Sequence, residues 1–127
     1  MTSKTRNTAG WILTGVIALL LAFSAFLKIS QAPEAVAQAA ASGIDAATFR
    51  LIGIIEIICV LVFLIPRTAF AGSLLLVAYM GGAIASHLIN GDSVVLVVVI
   101  EALVWITILL RFPVIQQQLL PLVRSDK

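Results

Sequence analysis

Residues 67–92, RTAFAGSLLLVAYMGGAIASHLINGD, decide the fold. Between the two terminal charges lie 24 residues with no Asp, Glu, Lys or Arg. A helix crossing the hydrocarbon core of a bilayer needs about 20 apolar residues, within a range of about 17–25. The run is too long for a strand, and in lipid a single segment satisfies its backbone hydrogen bonds only by closing them as a helix. Thr68 is placed to cap the start and Asn90-Gly91 to break the end. The stretch predicts a membrane-spanning helix over residues 69–89.

The same punctuation extends outward. Positions 7–27 hold 21 uncharged residues, while positions 51–66 and 93–110 hold 16 and 18 residues, each interrupted by one glutamate. Four spans are predicted, at about 11–29, 46–65, 69–89 and 94–112, with Asp45, Thr68 and Ser93 as N-caps of the last three. Pro66-Arg67 and Asn90-Gly91-Asp92 are short links that force their helices antiparallel. The fold class is therefore all-α: a single-domain (1–127) integral membrane antiparallel four-helix bundle. The first connection is longer. Pro33 suits the start of a helix and Gly43 its stop, so a short extracytoplasmic helix is expected over the mouth of the bundle, read as a linker with a lid as the alternative. Pro113 ends the last span, and the apolar, Gln-containing tail at 114–122 is expected on the membrane surface.

Composition agrees. Hydrophobic residues make up 61% and charged residues 11%, against about 25% charged in soluble domains. The net charge of +2 is spread along the chain, with no Lys/Arg cluster to follow a phosphate backbone, which excludes nucleic acid as a partner. Lone Cys59 cannot form an intrachain disulfide or a thiol relay. With His87 as the one histidine, zinc, iron–sulfur and haem ligand sets are missing, so no intrinsic cofactor is expected.

Lys and Arg set the orientation. With the N-terminus inside, Lys4, Arg6, Arg67, Arg111, Arg124 and Lys127 lie on the inner side, and Lys28 and Arg50 on the outer. Both termini are then cytoplasmic. Lys4 and Arg6, an apolar run and Ala35-Val36-Ala37 also have the order of a signal peptide. However, the 17-residue run over positions 11–27 exceeds the usual 7–15 and ends well before Ala35, so it is taken as a span.

Ionisable residues inside spans are costly, at least about 2.5–3.5 kcal/mol each at the bilayer centre. Each helix carries one: Lys28, Glu56, His87 and Glu101. At about 1.5 Å per residue, Glu56 and Glu101 each lie roughly 12 Å below the outer surface. Ser24 and Lys28 share a face at i, i+4. Met80, Ala83, Ile84 and His87 share a face of the third span, with Tyr79 adjacent, and Glu101 shares a face with Trp105. The simplest arrangement turns these faces inward, giving a candidate ligand-binding cluster of Ser24, Lys28, Glu56, Tyr79, His87 and Glu101. A structural reading stands beside it, with Lys–Glu and His–Glu pairs as interhelical glue. Such bonds contribute only about 0.6 kcal/mol each on average, which favours a pocket. Gly53 and the Gly81-Gly82-Ala83 and Ala85-Ser86 stretch are read as close-packing positions, with room for a ligand as the alternative; Gly72 and the Gly81-Gly82 face can also support oligomers. Cys59 is read as a small core residue.

Three stretches resemble the DoxX and DoxX-like small membrane proteins. Ser24-Ala25-Phe26-Leu27-Lys28 is similar to that family's Ser-Gly-x-x-Lys at the end of helix one. Gly53-Ile54-Ile55-Glu56 is similar to its Gly-x-x-Glu in helix two. Gly82-Ala83-Ile84-Ala85-Ser86-His87-Leu88 is similar to its Gly-Ala-x-x-x-His-Leu near the outer end of helix three. Ala25 departs from the usual Gly, and Cys59 stands where Gly or Ala is common. The resemblance implies a four-helix bundle in a bacterial inner (plasma) membrane. It also implies links, in some relatives, to thiosulfate:quinone oxidoreductases or to membrane assemblies against oxidative stress. The expectation is a module binding a quinone or lipid-like molecule, among membrane lipids and other membrane or redox subunits, or as a homo-oligomer. The alternatives are an intramembrane acid–base enzyme of isomerase type and a non-catalytic assembly subunit.

Overall fold

The computed structural model describes residues 2–120. Among them it contains six helices and no strand: α1 (Ser3–Ile29), α2 (Pro33–Ala41), α3 (Ala46–Leu64), α4 (Ala69–Ile89), α5 (Val95–Arg111) and α6 (Pro113–Leu119). By length and composition α1, α3 and α4 suffice to cross a membrane; α5 passes that test only together with α6, from which it is bent by 111°.

The long helices match the expected bounds to within a residue at most ends, and the differences have local causes. α1 starts at Ser3, well before the apolar run, because the Thr2 side chain accepts from the Thr5 N–H and caps a polar first turn. Asp45 caps α3 as expected, its carboxylate accepting from the Thr48 N–H at 3.3 Å and from the Thr48 hydroxyl. Thr68 occupies the N-cap position of α4, but its hydroxyl donates back to the Val62 carbonyl instead. Ser93 is not the cap of α5. Val94 holds that position, and the Ser93 hydroxyl only accepts from Val95 N at 3.4 Å. Beyond α5 the chain turns at Phe112, and Pro113 begins α6, since a proline has no N–H to lose at a first helical position. Of the tail expected on the membrane surface, positions 121 and 122 lie outside the described residues.

Three helix ends use the same device. At Gly43 (φ +81°) and Gly91 (φ +73°), a left-handed residue lets the next N–H reach back to the helix: Ile44 to Ala39, Asp92 to His87. Gln31 does the same after α1 at φ 58° despite its side chain. Its amide compensates by donating to the carbonyls of Lys28 and Ala46, tying α1 to α3.

The four long helices close a ring: α1 packs on α3 and α5, and α4 packs on α3 and α5. α2 packs on α1 and α3. Ile17, Leu21, Val60, Phe63, Leu76, Met80, Val104 and Ile108 fill the centre together with Cys59, a core residue as expected. The buried hydroxyls of Thr14, Ser73 and Thr107 each donate to a carbonyl four residues back on their own helix, at 2.8 Å. The outer surface is the reverse of a soluble protein's: Leu19 is 75% and Ile89 84% exposed, and Ile12, Phe23 and Phe26 exceed 60%.

Two glycines set helix distances. A Cβ on Gly72 would lie 2.3 Å from the Phe63 nitrogen, so α4 touches the α3 backbone there. A Cβ on Gly53 would lie 2.6 Å from the Lys28 Cβ and 3.1 Å from the Ala25 carbonyl oxygen. Gly53 thus supplies, from α3, the close approach that Ala25 does not supply from α1. Gly81 and Gly82 have open space at their Cβ positions, so the close-packing reading does not hold for them.

Candidate functional site

The charged residues of α1 and α3 meet where Gly53 brings the helices together. Lys28 Nζ lies 2.9 Å from Glu56 Oε2. It also donates to Ser24 Oγ at 2.5 Å, and Ser24 in turn donates to the same carboxylate oxygen at 3.4 Å. The Glu56 side chain is 1% exposed and that of Lys28 is 17%, so the carboxylate is fixed deep in the bundle while the ammonium stands nearer the edge. The Phe49 ring lies 5.9 Å from the ammonium. Ser24 and Lys28 face Glu56 because a four-residue spacing stacks them on one side of α1.

These groups line a cavity of about 750 Å³, within the range of small-molecule sites. Tyr79, Met80, Ala83 and His87 supply its α4 wall, and Leu96, Val97 and Ile100 its α5 wall. His87 Nδ1 lies 2.8 Å from the Ala83 carbonyl. A carbonyl only accepts, so Nδ1 is the donor in this contact, and in the tautomer with one ring proton Nε2 is the acceptor. The cavity therefore combines an ammonium, a carboxylate, a hydroxyl, a phenol and an imidazole with long apolar walls. Among the described residues no three His, Cys, Asp or Glu side chains converge as a metal-ion ligand set.

Five of the six residues singled out in the sequence thus share one cavity: Ser24, Lys28, Glu56, Tyr79 and His87. Glu101 does not. It lies outside the cavity lining, with Oε1 accepting from Trp105 Nε1 at 3.1 Å on its own helix and Oε2 buried without a partner. The reason is helical phase: Ile100, one residue earlier and about 100° around α5, takes the inward position. Several lining groups were not anticipated. Gln38 comes from α2, Ser42 from its C-cap, and Asn90 and Asp92 from the α4–α5 turn, so α2 is part of the wall as well as a linker. Gly82 also lines the cavity; there its missing side chain leaves room.

A model of the DoxX-like family matches residues 12–110. No curated protein and no solved structure is detectably similar. The matched residues include Ser24, Lys28, Glu56, Tyr79 and His87 and exclude α6. Long apolar helices with exposed apolar outer faces, in a chain of this family, make this a helical membrane protein.

Proposed function

The chain belongs to the DoxX-like family, and from that premise we propose that it binds a quinone or lipid-like molecule within the bilayer. The observation that carries this reading is the joining of a polar corner to apolar walls in one cavity of about 750 Å³. Lys28, Ser24, Tyr79 and His87 offer hydrogen bonds to a carbonyl or hydroxyl head group. The α1, α3 and α5 walls, with Leu20, Leu27, Ile55 and Leu96, suit a prenyl or acyl chain. On this reading all four long helices span the membrane as an antiparallel bundle. α5, at 17 residues, is about 25 Å long, the short end of the spanning range. The Lys/Arg asymmetry supports an orientation with both termini cytoplasmic and with α2 and the cavity mouth outside, in the bacterial inner membrane that the family implies. The module brings no redox cofactor of its own and serves as a quinone- or lipid-binding subunit of a membrane redox complex.

Small-molecule mass spectrometry of the gently extracted protein tests this, beside Glu56→Gln and His87→Ala. A stoichiometric prenyl or acyl compound retained by the wild type and lost from both variants is the expected result. An empty wild type, with variants that are merely less heat-stable, overturns it in favour of a structural polar cluster in an assembly subunit. One observation favours a second reading, an acid–base enzyme: the Nδ1-protonated His87 leaves Nε2 as a base in a cavity that also holds Glu56. Turnover of an added lipid, lost in Glu56→Gln, would select that reading.

A further inference from the structure

The end of the bundle opposite the cavity holds a second polar feature. Arg111, the last residue of α5, crosses to α1. Its guanidinium carbon lies 3.8 Å from the centre of the Trp11 ring, and Nη1 donates to Thr14 Oγ1 at 3.1 Å. Thr14 is itself held by the Gly10 carbonyl. Gly10 makes the passage possible, since a Cβ there would lie 2.5 Å from Arg111 Cγ. A guanidinium has five N–H donors, and among the described residues Thr14 is its one hydrogen-bond partner. No carboxylate pairs with it: the one ion pair among the described residues is Lys28–Glu56. Glu34, Asp45 and Asp92 lie at the other end, and Glu56 and Glu101 lie in mid-helix. Among the described residues, Lys4, Arg6 and Arg67 are the other charges at the Arg111 end.

An apolar groove of about 340 Å³ opens beside Arg111, lined by Phe70, Phe112, Pro113, Val114 and Ile115. The bend at Phe112 forms it, and the edge-to-face pair Phe70–Phe112, 5.3 Å between centroids, makes its floor. We propose that this is a binding site for an anionic phospholipid, with the phosphate on Arg111 and the start of an acyl chain along the groove. A planar, rigidly stacked guanidinium suits a phosphate, basic pockets between spans favour anionic head groups, and no acidic side chain of the described residues competes.

Trp11 reports on the site directly. In a Trp105→Phe background it is the single tryptophan, and the full chain is reconstituted in phosphatidylcholine vesicles carrying acyl-brominated phosphatidylglycerol or acyl-brominated phosphatidylcholine. The expected result is quenching at roughly fivefold lower mole fraction for the anionic lipid, the preference that one such cation confers. Arg111→Gln removes the preference. So does Val114→Glu, which alters an exposed side chain and keeps the result interpretable should Arg111→Gln fail to fold. Equal quenching by the two lipids, or a preference that survives in whichever variants fold, overturns the proposal. Loss of the preference on adding inorganic phosphate overturns the lipid as the occupant and assigns the site to a free anion.

Discussion

Lys28→Met removes the cation facing Glu56 and leaves a carboxylate that is 1% exposed. At the observed 2.9 Å, the gross Coulomb attraction is about 6 kcal/mol for an effective dielectric of about 20. Much of that offsets desolvation of the two groups, and breaking a buried pair by removing one partner costs about 3–5 kcal/mol. Because Lys28 retains 17% exposure, the lower end applies, about 3 kcal/mol. Glu56→Gln is the milder change. The amide oxygen still accepts from Lys28 and Ser24, and the ammonium can turn toward the edge on its flexible stem, so the expected loss is about 1 kcal/mol. In the double variant Lys28→Met/Glu56→Gln no charge is stranded, which gives a coupling of about 2 kcal/mol. Reversible unfolding in mixed dodecyl maltoside–SDS micelles, followed by circular dichroism, supplies the four stabilities. Equal losses for the two single variants, or a coupling below about 0.5 kcal/mol, would refute the argument that the carboxylate is the buried, dependent member of the pair.

Two further outcomes follow from packing and capping. Gly72→Ala drives a methyl into the α3 backbone at Phe63 and should cost about 1–3 kcal/mol in the same assay; Gly81→Ala meets open space and should be neutral or stabilising by up to about 1 kcal/mol. Hydrogen bonds from Thr48 hold the Asp45 carboxyl below its ordinary value. A depressed folded-state value means that the cap contributes stability above the unfolded value and loses it as pH falls through the folded one. Amide exchange in the first turn of α3, corrected for intrinsic rates, should therefore stay slow through the ordinary aspartate range and rise only below it, and Asp45→Asn should abolish that pH dependence.

Much of this architecture is legible in the chain because charge is so scarce. Uncharged runs mark the long helices, Pro33 and Gly43 bracket α2, and the spacing of Ser24, Lys28 and Glu56 anticipates their meeting. Rotational phase was legible only where a helix carries polar contrast. α5 is Val-, Ile- and Leu-rich on every side, so nothing in VLVVVIEALVWITILLR says that Ile100 faces inward in place of Glu101; the Trp105 indole four residues on was the one clue that the carboxylate could be satisfied locally. Glycine was ambiguous for a different reason: a missing side chain admits either a neighbouring backbone, as at Gly72, or empty space, as at Gly82, and only the tertiary arrangement separates them. In the sequence Arg111 reads only as an inner-side charge, and its crossing to Thr14 depends on the α1–α5 contact, which no local pattern encodes.

The separation of 28 residues between Lys28 and Glu56 also bears on how the chain is made. The ribosome delivers α1 first, so the ammonium has emerged before the carboxylate reaches the membrane. Glu56 enters a bilayer that already holds its partner, on the helix against which its own will pack. Glu101, the other mid-helix acid, comes too late for that cation, but its indole donor follows only four residues behind on the same turn-forming segment. Each of these two carboxylates therefore has a donor either already present on an earlier helix or close behind on its own.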